Sequence, residues 1–226
     1  MIDTAAARAE IFNSIRRNLA TSQPFDAVYH EHNAVVEQPA AITQRERSSP
    51  NLLLQFKENL EAVAGKCRIV SGEQEAADAI QDIFNELKPR TIAVSDSASV
   101  DALLNRISTD ATVLQHASKS ELFDCGVGIT TAQLAIAETG TLVLESGRER
   151  SRLTSLLPPV HICVLDAKNI RGTMGEILQI VQNDLSRTVT FATGPSRTSD
   201  IELTLAIGVH GPRELYVIVI SDETNA

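Results

Sequence analysis

The stretch Val160-His161-Ile162-Cys163-Val164-Leu165 indicates the fold class of this chain. It is apolar at nearly every position and lacks the alternation of apolar and polar residues typical of a strand with one wet face. Strands buried on both faces have this composition, and they occur mainly in parallel sheets that helices cover. The stretch therefore predicts a strand inside a parallel sheet.

Other short apolar runs repeat this pattern, and stretches with helical spacing separate them. The predicted strands are 67–70, 91–94, 112–114, 140–144, 188–192, 203–209 and 215–220. The predicted helices are 4–19, 52–63, 73–87, 97–107 and 173–183. Strands that alternate with helices form βαβ units. We therefore predict an α/β fold of three layers, with a parallel or mixed sheet and helices on both faces.

The two last strands are separated by the short turn Gly208-Val209-His210-Gly211-Pro212. A short turn of this composition favours an antiparallel hairpin. We therefore expect strands 203–209 and 215–220 to pair with each other at an edge of the sheet.

The composition excludes several classes of function. The chain of 226 residues has a net charge of −9, and only 4% of its residues are aromatic. An acidic protein repels DNA and anionic membranes, and few aromatic residues are left to stack on bases. No apolar run approaches the roughly 18 residues of a membrane span, and residues 1–20 lack the apolar core of a signal peptide. We expect a cytoplasmic protein that binds no nucleic acid.

Residues 22–50 interrupt the helical pattern with three prolines and many polar residues. Such a stretch is long for a loop inside a compact domain. We predict an N-terminal helix and polar arm over residues 1–50 and one α/β domain over residues 51–226.

The three cysteines, Cys67, Cys125 and Cys163, lie far apart in the sequence. This spacing argues against a disulfide framework and against an iron–sulfur cluster held by this chain alone. No metal site or cofactor is predicted. Cys125 precedes a glycine-rich turn and is the one cysteine predicted to merit a test of reactivity.

The segment Thr193-Gly194-Pro195-Ser196-Arg197-Thr198-Ser199-Asp200-Ile201-Glu202 follows a predicted strand. Gly194 tolerates a positive φ, and Ser196, Arg197 and Thr198 supply donors that suit a carboxylate or phosphate. Asp200 and Glu202 would share one side of an extended chain. The alternative is an ordinary polar turn between strands.

Three further residues carry chemistry in similar surroundings. Glu138 stands between an apolar segment and a strand, which predicts a desolvated carboxylate for acid–base or covalent work; capping a helix is the alternative. His210 lies between Gly208 and Gly211 and is a general acid or base, or else an anchor. Arg152 precedes Leu153, so we expect it to point inward.

Ligands of α/β sheets gather beyond the carboxyl ends of the strands, and we expect Glu138, Arg197 and His210 to converge there. The catalytic candidates are Glu138 and His210. The ligand-binding candidates are Thr139, Gly140, Thr141, Arg152, Gly194, Ser196, Arg197, Thr198, Asp200 and Glu202.

Four blocks of the sequence, in this order, resemble the lactate utilisation protein C family of LUD-domain proteins. The blocks are residues 128–141, 152–162, 193–202 and 208–212. The resemblance implies a LUD-type domain over residues 51–226, similar to the sugar-phosphate isomerase and CoA-transferase fold group. It also implies a part in the oxidation of L-lactate to pyruvate beside iron–sulfur subunits.

Three hypotheses about function remain open at this point. The first is an accessory subunit of a lactate-oxidising complex that binds its partners, or a small carboxylate or phosphate, through the three motif loops at residues 137–141, 193–202 and 208–212. The second is a free-standing isomerase or acyl-CoA transferase, an analogy in which Glu138 is the base or nucleophile. The third is a structural module whose motif loops only stabilise the fold. The sequence does not decide whether turnover occurs on this chain.

Overall fold

The computed structural model describes residues 4–21, 49–146, 152–182, 186, 188–199, 205–207 and 211–221. The chain divides into two compact units, residues 1–46 and 47–226. The first unit contains helix α1 (Thr4–Thr21). Among the described residues, no helix combines the length and the apolar character that crossing a bilayer requires.

The second unit contains all other described elements. Its helices are α2 (Ser49–Ala62), α3 (Gly72–Leu87), α4 (Ala98–Leu104), α5 (Lys119–Asp124), α6 (Arg152–Leu156) and α7 (Met174–Val181). Its strands are β1 (Lys66–Val70), β2 (Thr91–Val94), β3 (Thr112–Gln115), β4 (Val127–Thr131), β5 (Leu134–Ile136), β6 (Thr141–Glu145), β7 (Val160–Asp166), β8 (Ile170–Arg171), β9 (Val189–Ala192), β10 (Arg197–Ser199), β11 (Leu205–Ile207) and β12 (Glu214–Ile220).

The main sheet has six strands in the order β1-β12-β7-β4-β2-β3, and every neighbouring pair is parallel. A second sheet has the order β8-β5-β6-β9, and β10 pairs with β11 as an antiparallel ribbon. All carboxyl ends of the main sheet therefore meet at one edge, and all amino ends meet at the opposite edge.

Strand β7 shows why the main sheet is buried on both sides. Successive side chains of a strand point to opposite faces. Ile162 and Val164 pack in one core with α3 and α4, whereas Cys163 and Leu165 pack in another with α2 and the second sheet. The predicted α/β fold, with a mostly parallel sheet between helices, is confirmed.

The second sheet adds a layer that the apolar pattern did not separate from the main sheet. Leu142 and Leu144 of β6 face the main sheet, whereas Val143 faces Ile177 and Val181 of α7. A strand with two buried faces looks the same in sequence whether its neighbours are parallel or antiparallel. In the structure, β6 pairs antiparallel with both β5 and β9.

The hairpin predicted for the last two strands is wrong. Strand β12 lies inside the main sheet, parallel to both β1 and β7, and β11 pairs with β10 instead. The reason is burial: Leu215 to Val219 are buried at every position, so this strand needs cover on both faces. An edge position would leave one side of its backbone unpaired.

Both ends of helix α3 have clear stabilising features. Glu73 and Glu75 lie in its first turn, where negative charge interacts favourably with the helix dipole. The Glu75 carboxylate also accepts a hydrogen bond of 2.8 Å from the Ser71 backbone N–H. Lys88 ends the helix in the left-handed conformation, and Pro89 follows it.

His161 of β7 is the one histidine among the described residues that is completely enclosed. Its Nε2 lies 2.9 Å from the hydroxyl of Thr130 on β4. Burial lowers the pKa of His161 to about 4, because the protonated ring would lose its hydration. The folded chain therefore holds His161 neutral at pH values where an unfolded chain protonates it.

His161 is expected to make the protein less stable in mild acid. Between pH 6.5 and about 4, His161 binds a proton in the unfolded chain but not in the folded chain. The free energy of unfolding should therefore fall by up to about 3 kcal/mol over this window from this residue. Urea unfolding at a series of pH values measures the effect.

The variant His161→Gln keeps a partner for Thr130 but cannot titrate, so its stability should depend less on pH over the same window. His116→Asn, at an exposed histidine, is the matched control and should keep the wild-type dependence. An unchanged pH profile in His161→Gln would contradict this assignment.

Candidate functional site

Glu138 caps a helix. Its Oε1 accepts a hydrogen bond of 2.7 Å from the backbone N–H of Met174, the first residue of α7. The side chain is exposed. The expectation of a desolvated carboxylate is therefore wrong, because Glu138 lies at the surface, where it meets an unpaired N–H at the start of a helix.

Three threonine hydroxyls join two of the sequence blocks. Thr141 Oγ1 lies 2.7 Å from Thr139 Oγ1 and 2.7 Å from Thr193 Oγ1. Thr141 is buried, whereas Thr139 and Thr193 are exposed. The turn around Gly140 and the loop after β9 therefore lie side by side.

Two glycines of these blocks lie against the last turn of α2. Gly140 and Gly194 have φ values of +64° and +79°. A Cβ at Gly140 would overlap the backbone of Leu60, and a Cβ at Gly194 would lie 2.7 Å from the Val63 carbonyl oxygen. Both positions therefore require glycine for its backbone conformation and for the close approach.

Polar bonds fix the same contact. The Asn59 side chain donates to the Ala137 carbonyl at 2.8 Å. Arg197 Nη2 donates to the Val63 carbonyl at 2.8 Å, just beyond the end of α2, where a cation is favourable. We call the exposed or half-buried donors of Thr139, Thr193, Ser196 and Arg197 beside this helix end the α2-end surface.

Five predicted site residues remain, of which two lie in the described part of the chain and three lie outside it. Arg152 is exposed at the start of α6, so the inward orientation expected for it is wrong. Thr198 lies on β10, where its backbone partner is Ala206. Asp200, Glu202 and His210 lie outside the described residues.

The turns around Gly140 and Gly194 lie at the amino edge of the main sheet, beside the end of α2 that leads into β1, whereas Thr131 and Gln133 of the first block reach the carboxyl edge. Ser196 N donates to the Pro212 carbonyl at 2.8 Å, and Arg213 N donates to the Pro159 carbonyl at 2.7 Å. Pro159 directly precedes β7, and Pro212 lies two residues before β12. The expected position at the carboxyl rim is therefore wrong, because β9 belongs to the second sheet and its end does not follow the polarity of the main sheet.

A cluster that the sequence did not indicate completes this amino edge. Lys66 Nζ donates to Glu214 Oε2 at 2.6 Å and to Tyr216 Oη at 2.7 Å. Partial burial works to lower the pKa of Lys66, but the hydrogen bonds to Glu214 and Tyr216 and the charge interactions with them together outweigh burial and raise the pKa. The same lysine lowers the pKa of Glu214. The parallel pairing of β1 with β12 creates this cluster, which sequence spacing cannot reveal.

The opposite, carboxyl edge of the main sheet contains a cleft of about 580 Å³ between the two sheets. Its polar lining residues are Glu73, Ser99, Thr131, Gln133, Glu145, Asp166, Lys168 and Asn169. Crevices beyond the carboxyl ends of parallel strands are the usual ligand sites of α/β folds. Asp166 and Lys168 lie at or just beyond the end of β7, a signal that the predicted strand 160–165 offered, whereas β4 was not among the predicted strands.

Glu145 is the most deeply buried acid of this cleft, at 5% exposure. The Ser186 hydroxyl donates to its Oε2 at 3.0 Å, and the Glu145 backbone N–H donates to Gln133 Oε1 at 2.6 Å. These bonds hold a carboxylate at the junction of the two sheets.

The cysteines are unreactive by environment. Burial raises the pKa of Cys67 to about 12 and also raises the pKa of Cys125. Cys163 is buried as well. The thiolate is the reactive form, so Cys125 is not the reactive cysteine that its sequence position suggested. Within the described ranges, no group of three or more His, Cys, Asp and Glu side chains is placed to hold a metal ion.

These features define the chain as an α/β protein with a main sheet and a second sheet, in which glycine-containing turns pack against the end of α2. The family model described as the LUD domain matches residues 53–220, which include this helix end and all four blocks from 128–141 to 208–212. The chain therefore belongs to the LUD domain family.

Several curated relatives support this assignment. Lactate utilization protein C of Deinococcus radiodurans is 31% identical over 220 residues, which cover 96% of this chain and 97% of that protein. Lactate utilization protein C of Bacillus subtilis is 37% identical over 102 residues. An uncharacterized protein of Neisseria meningitidis serogroup B is 42% identical over 106 residues. The last two alignments span 42% and 46% of those relatives.

A solved structure has the same fold. It is the crystal structure, at 1.70 Å resolution, of a DUF162 family protein from Deinococcus radiodurans. Its sequence is 26% identical, and the superposition has a TM-score of 0.58 and covers 77% of this chain and 99% of that one.

Gly140→Ala is expected to destabilise the domain strongly. The new Cβ would overlap the Leu60 backbone and would also strain a positive φ. We expect a loss of about 3 kcal/mol or more in the free energy of unfolding. Gly72→Ala is the matched control, because Gly72 has a φ of +82° but nothing within 4 Å of the added Cβ.

The control variant should lose only about 1 kcal/mol, the cost of the backbone conformation alone. Chemical denaturation of both variants measures the difference. Equal losses would show that the contact with α2 is not tight.

Glu138→Ala should lower the free energy of unfolding by about 1 kcal/mol through loss of the cap on α7. Glu138→Gln keeps an acceptor and should lose less. Because the residue caps a helix, neither variant should abolish function in the growth assay described below. Loss of growth in Glu138→Gln with normal stability would restore a chemical role for this carboxylate.

Proposed function

We propose that this chain is an accessory component of a cytoplasmic system that oxidises L-lactate to pyruvate together with iron–sulfur subunits. The observation that carries this proposal is the similarity, along nearly the whole chain, to a relative named Lactate utilization protein C. The Bacillus relative with the same name supports it over a shorter stretch.

The chemistry of the reaction supports the need for partners. Conversion of lactate to pyruvate releases two electrons and two protons, so an electron acceptor must receive them. The three cysteines of this chain are buried, and they are not grouped as cluster ligands. In our proposal, iron–sulfur clusters of the partner subunits accept the electrons.

The α2-end surface is the proposed point of contact. Its Arg197 is exposed and uses one N–H for the Val63 carbonyl, and a guanidinium has five donors. Carboxylates and phosphates match this fork of donors. We propose that the surface binds an acidic group, either a carboxylate of a partner subunit or a small carboxylate or phosphate ligand.

The alternative, a free-standing isomerase or acyl-CoA transferase, loses its principal argument. It requires Glu138 as base or nucleophile, whereas Glu138 is an exposed helix cap. A catalytic carboxylate of the kind expected is typically desolvated. The exposed, helix-capping position of Glu138 therefore favours the accessory role.

Deletion of the gene in its own organism tests the role in lactate utilisation. The deletion strain should fail to grow on L-lactate as sole carbon source, grow normally on pyruvate, and recover when the wild-type gene is returned. Normal growth of the deletion strain on L-lactate would overturn the proposal.

Arg197→Ala tests the proposed contact. Loss of a charge-assisted hydrogen bond should weaken binding by about tenfold or more. The purified chain is mixed with the iron–sulfur subunits, and their association is measured by sizing chromatography and titration. Arg68→Ala is the matched control, since Arg68 is an exposed arginine paired with Asp82 away from this surface. Equal binding by both variants would exclude Arg197 from the contact.

A further inference from the structure

A second, smaller pocket lies at the carboxyl ends of β2 and β3. Its volume is about 110 Å³, and its walls are Val94, Ser95, Asp96, Asp101, Gln115 and His116. We call it the Ser95 pocket. None of these residues belongs to the four sequence blocks or to the lining of the larger cleft, so nothing described above accounts for its chemistry.

Ser95 supplies the observation that points to a ligand. The residue is 2% exposed, and its hydroxyl oxygen has no hydrogen-bond partner among the described residues. A buried hydroxyl without a partner is costly, and such groups are rare in folded proteins. The Ser95 backbone N–H donates to the Ile129 carbonyl at 3.0 Å, which holds the residue at the end of β2.

The other walls are rich in acceptors. Asp96 and Asp101 contribute two carboxylates to the wall. Gln115 Nε2 donates to Asp101 Oδ1 at 3.1 Å, and the side-chain carbonyl oxygen of Gln115 is a further acceptor. The wall as described includes no lysine or arginine. A ligand of this pocket must therefore offset negative charge and donate hydrogen bonds.

Helix α4 separates this pocket from the larger cleft. Asp101 lines the Ser95 pocket, whereas Ser99 and Leu103 line the cleft. Residues 99 and 103 share one face of a helix, and residue 101 lies on the opposite side. The two cavities are therefore distinct, and a ligand in one does not occupy the other.

We propose that the Ser95 pocket binds a small cation that brings its own hydrogen-bond donors. A primary ammonium group and a hydrated divalent metal ion share this chemistry. Mg²⁺ often keeps several waters and uses only one or two protein carboxylates, which fits a pocket where the described residues offer no group of three metal-ligating side chains. The site is independent of the proposed role in lactate oxidation.

Titration of the full chain tests this site. Methylammonium chloride and magnesium chloride are added separately, and the amide NMR signals of residues 94–96, 101, 115 and 116 are followed. Tetramethylammonium chloride at equal ionic strength is the control, because it carries the charge but has no N–H donor. We expect saturable shifts confined to the pocket with methylammonium, magnesium or both, and none with the control salt.

The two active salts distinguish the sources of the cation. A response to magnesium alone identifies a hydrated metal site, and a response to methylammonium alone identifies an ammonium site. Responses to both identify a pocket that selects charge and donors only. Absence of a response to either salt, or equal shifts with tetramethylammonium, overturns the proposal.

Variants connect the response to the named residues. Ser95→Ala should weaken binding on the order of fivefold through loss of one hydrogen bond, and Asp101→Asn should weaken it by about tenfold or more through loss of charge. Asp110→Asn, at an exposed aspartate outside the pocket, should bind like the wild type. Equal affinities in all three variants would overturn the assignment.

Folding of Ser95→Ala gives a second readout. Because the hydroxyl lacks a partner in the unliganded chain, its removal should leave the free energy of unfolding unchanged or raise it. The wild type should then gain more stability from the cation than the variant does. A strongly destabilised Ser95→Ala without ligand would mean that the hydroxyl is bonded within the protein, which contradicts the proposal.

Discussion

The close approach of two glycine turns to the last turn of α2 is the contact on which the domain depends. Gly140 and Gly194 bring the backbones of two separate blocks against Leu60 and Val63. Helix α2 in turn buries Phe56 and Leu60 between the main sheet and the second sheet. Interiors are packed closely enough that one added methyl group at such a contact must displace backbone. The relative position of the two sheets therefore depends on the packing of this helix end.

The structure separates two kinds of chemistry at the two edges of the main sheet. The turns around Gly140 and Gly194 meet at the amino edge, where Thr141 bonds to Thr193 and Arg197 donates to the Val63 carbonyl. The carboxyl edge holds the larger cleft with its buried Glu145 and the Ser95 pocket. Recognisable turns thus stabilise the fold and present an exposed arginine, whereas the enclosed volumes lie where parallel strands end.

The sequence predicts those features that depend on local physics. The apolar run of β7 indicates burial on both faces, and the Gly194-Pro195 pair indicates a turn with a positive φ, as found. The sequence does not predict features that depend on contacts between residues far apart along the chain. The pairing of β12 with β1 and β7, and the separate sheet around β6, follow from long-range burial that a strand of one composition cannot specify.

The candidate site illustrates the same limit. The proximity of Thr141 to Thr193 was foreseeable in outline from the two blocks. Helix capping was the alternative role for Glu138, but the sequence did not identify the helix, because the partner N–H belongs to Met174, 36 residues further along the chain. The Ser95 pocket gave no sequence signal, since an unpartnered hydroxyl is defined by what surrounds it.

Hydrogen exchange of Gly194→Ala measures the central contact most directly. If the two turns and the end of α2 form one cooperative unit, two groups of amides should lose protection together. These are the amides around residues 59–63, at the end of α2, and those around residues 137–141. Loss of protection confined to the loop at residues 193–197, with α2 and the 137–141 turn unchanged, would contradict the account.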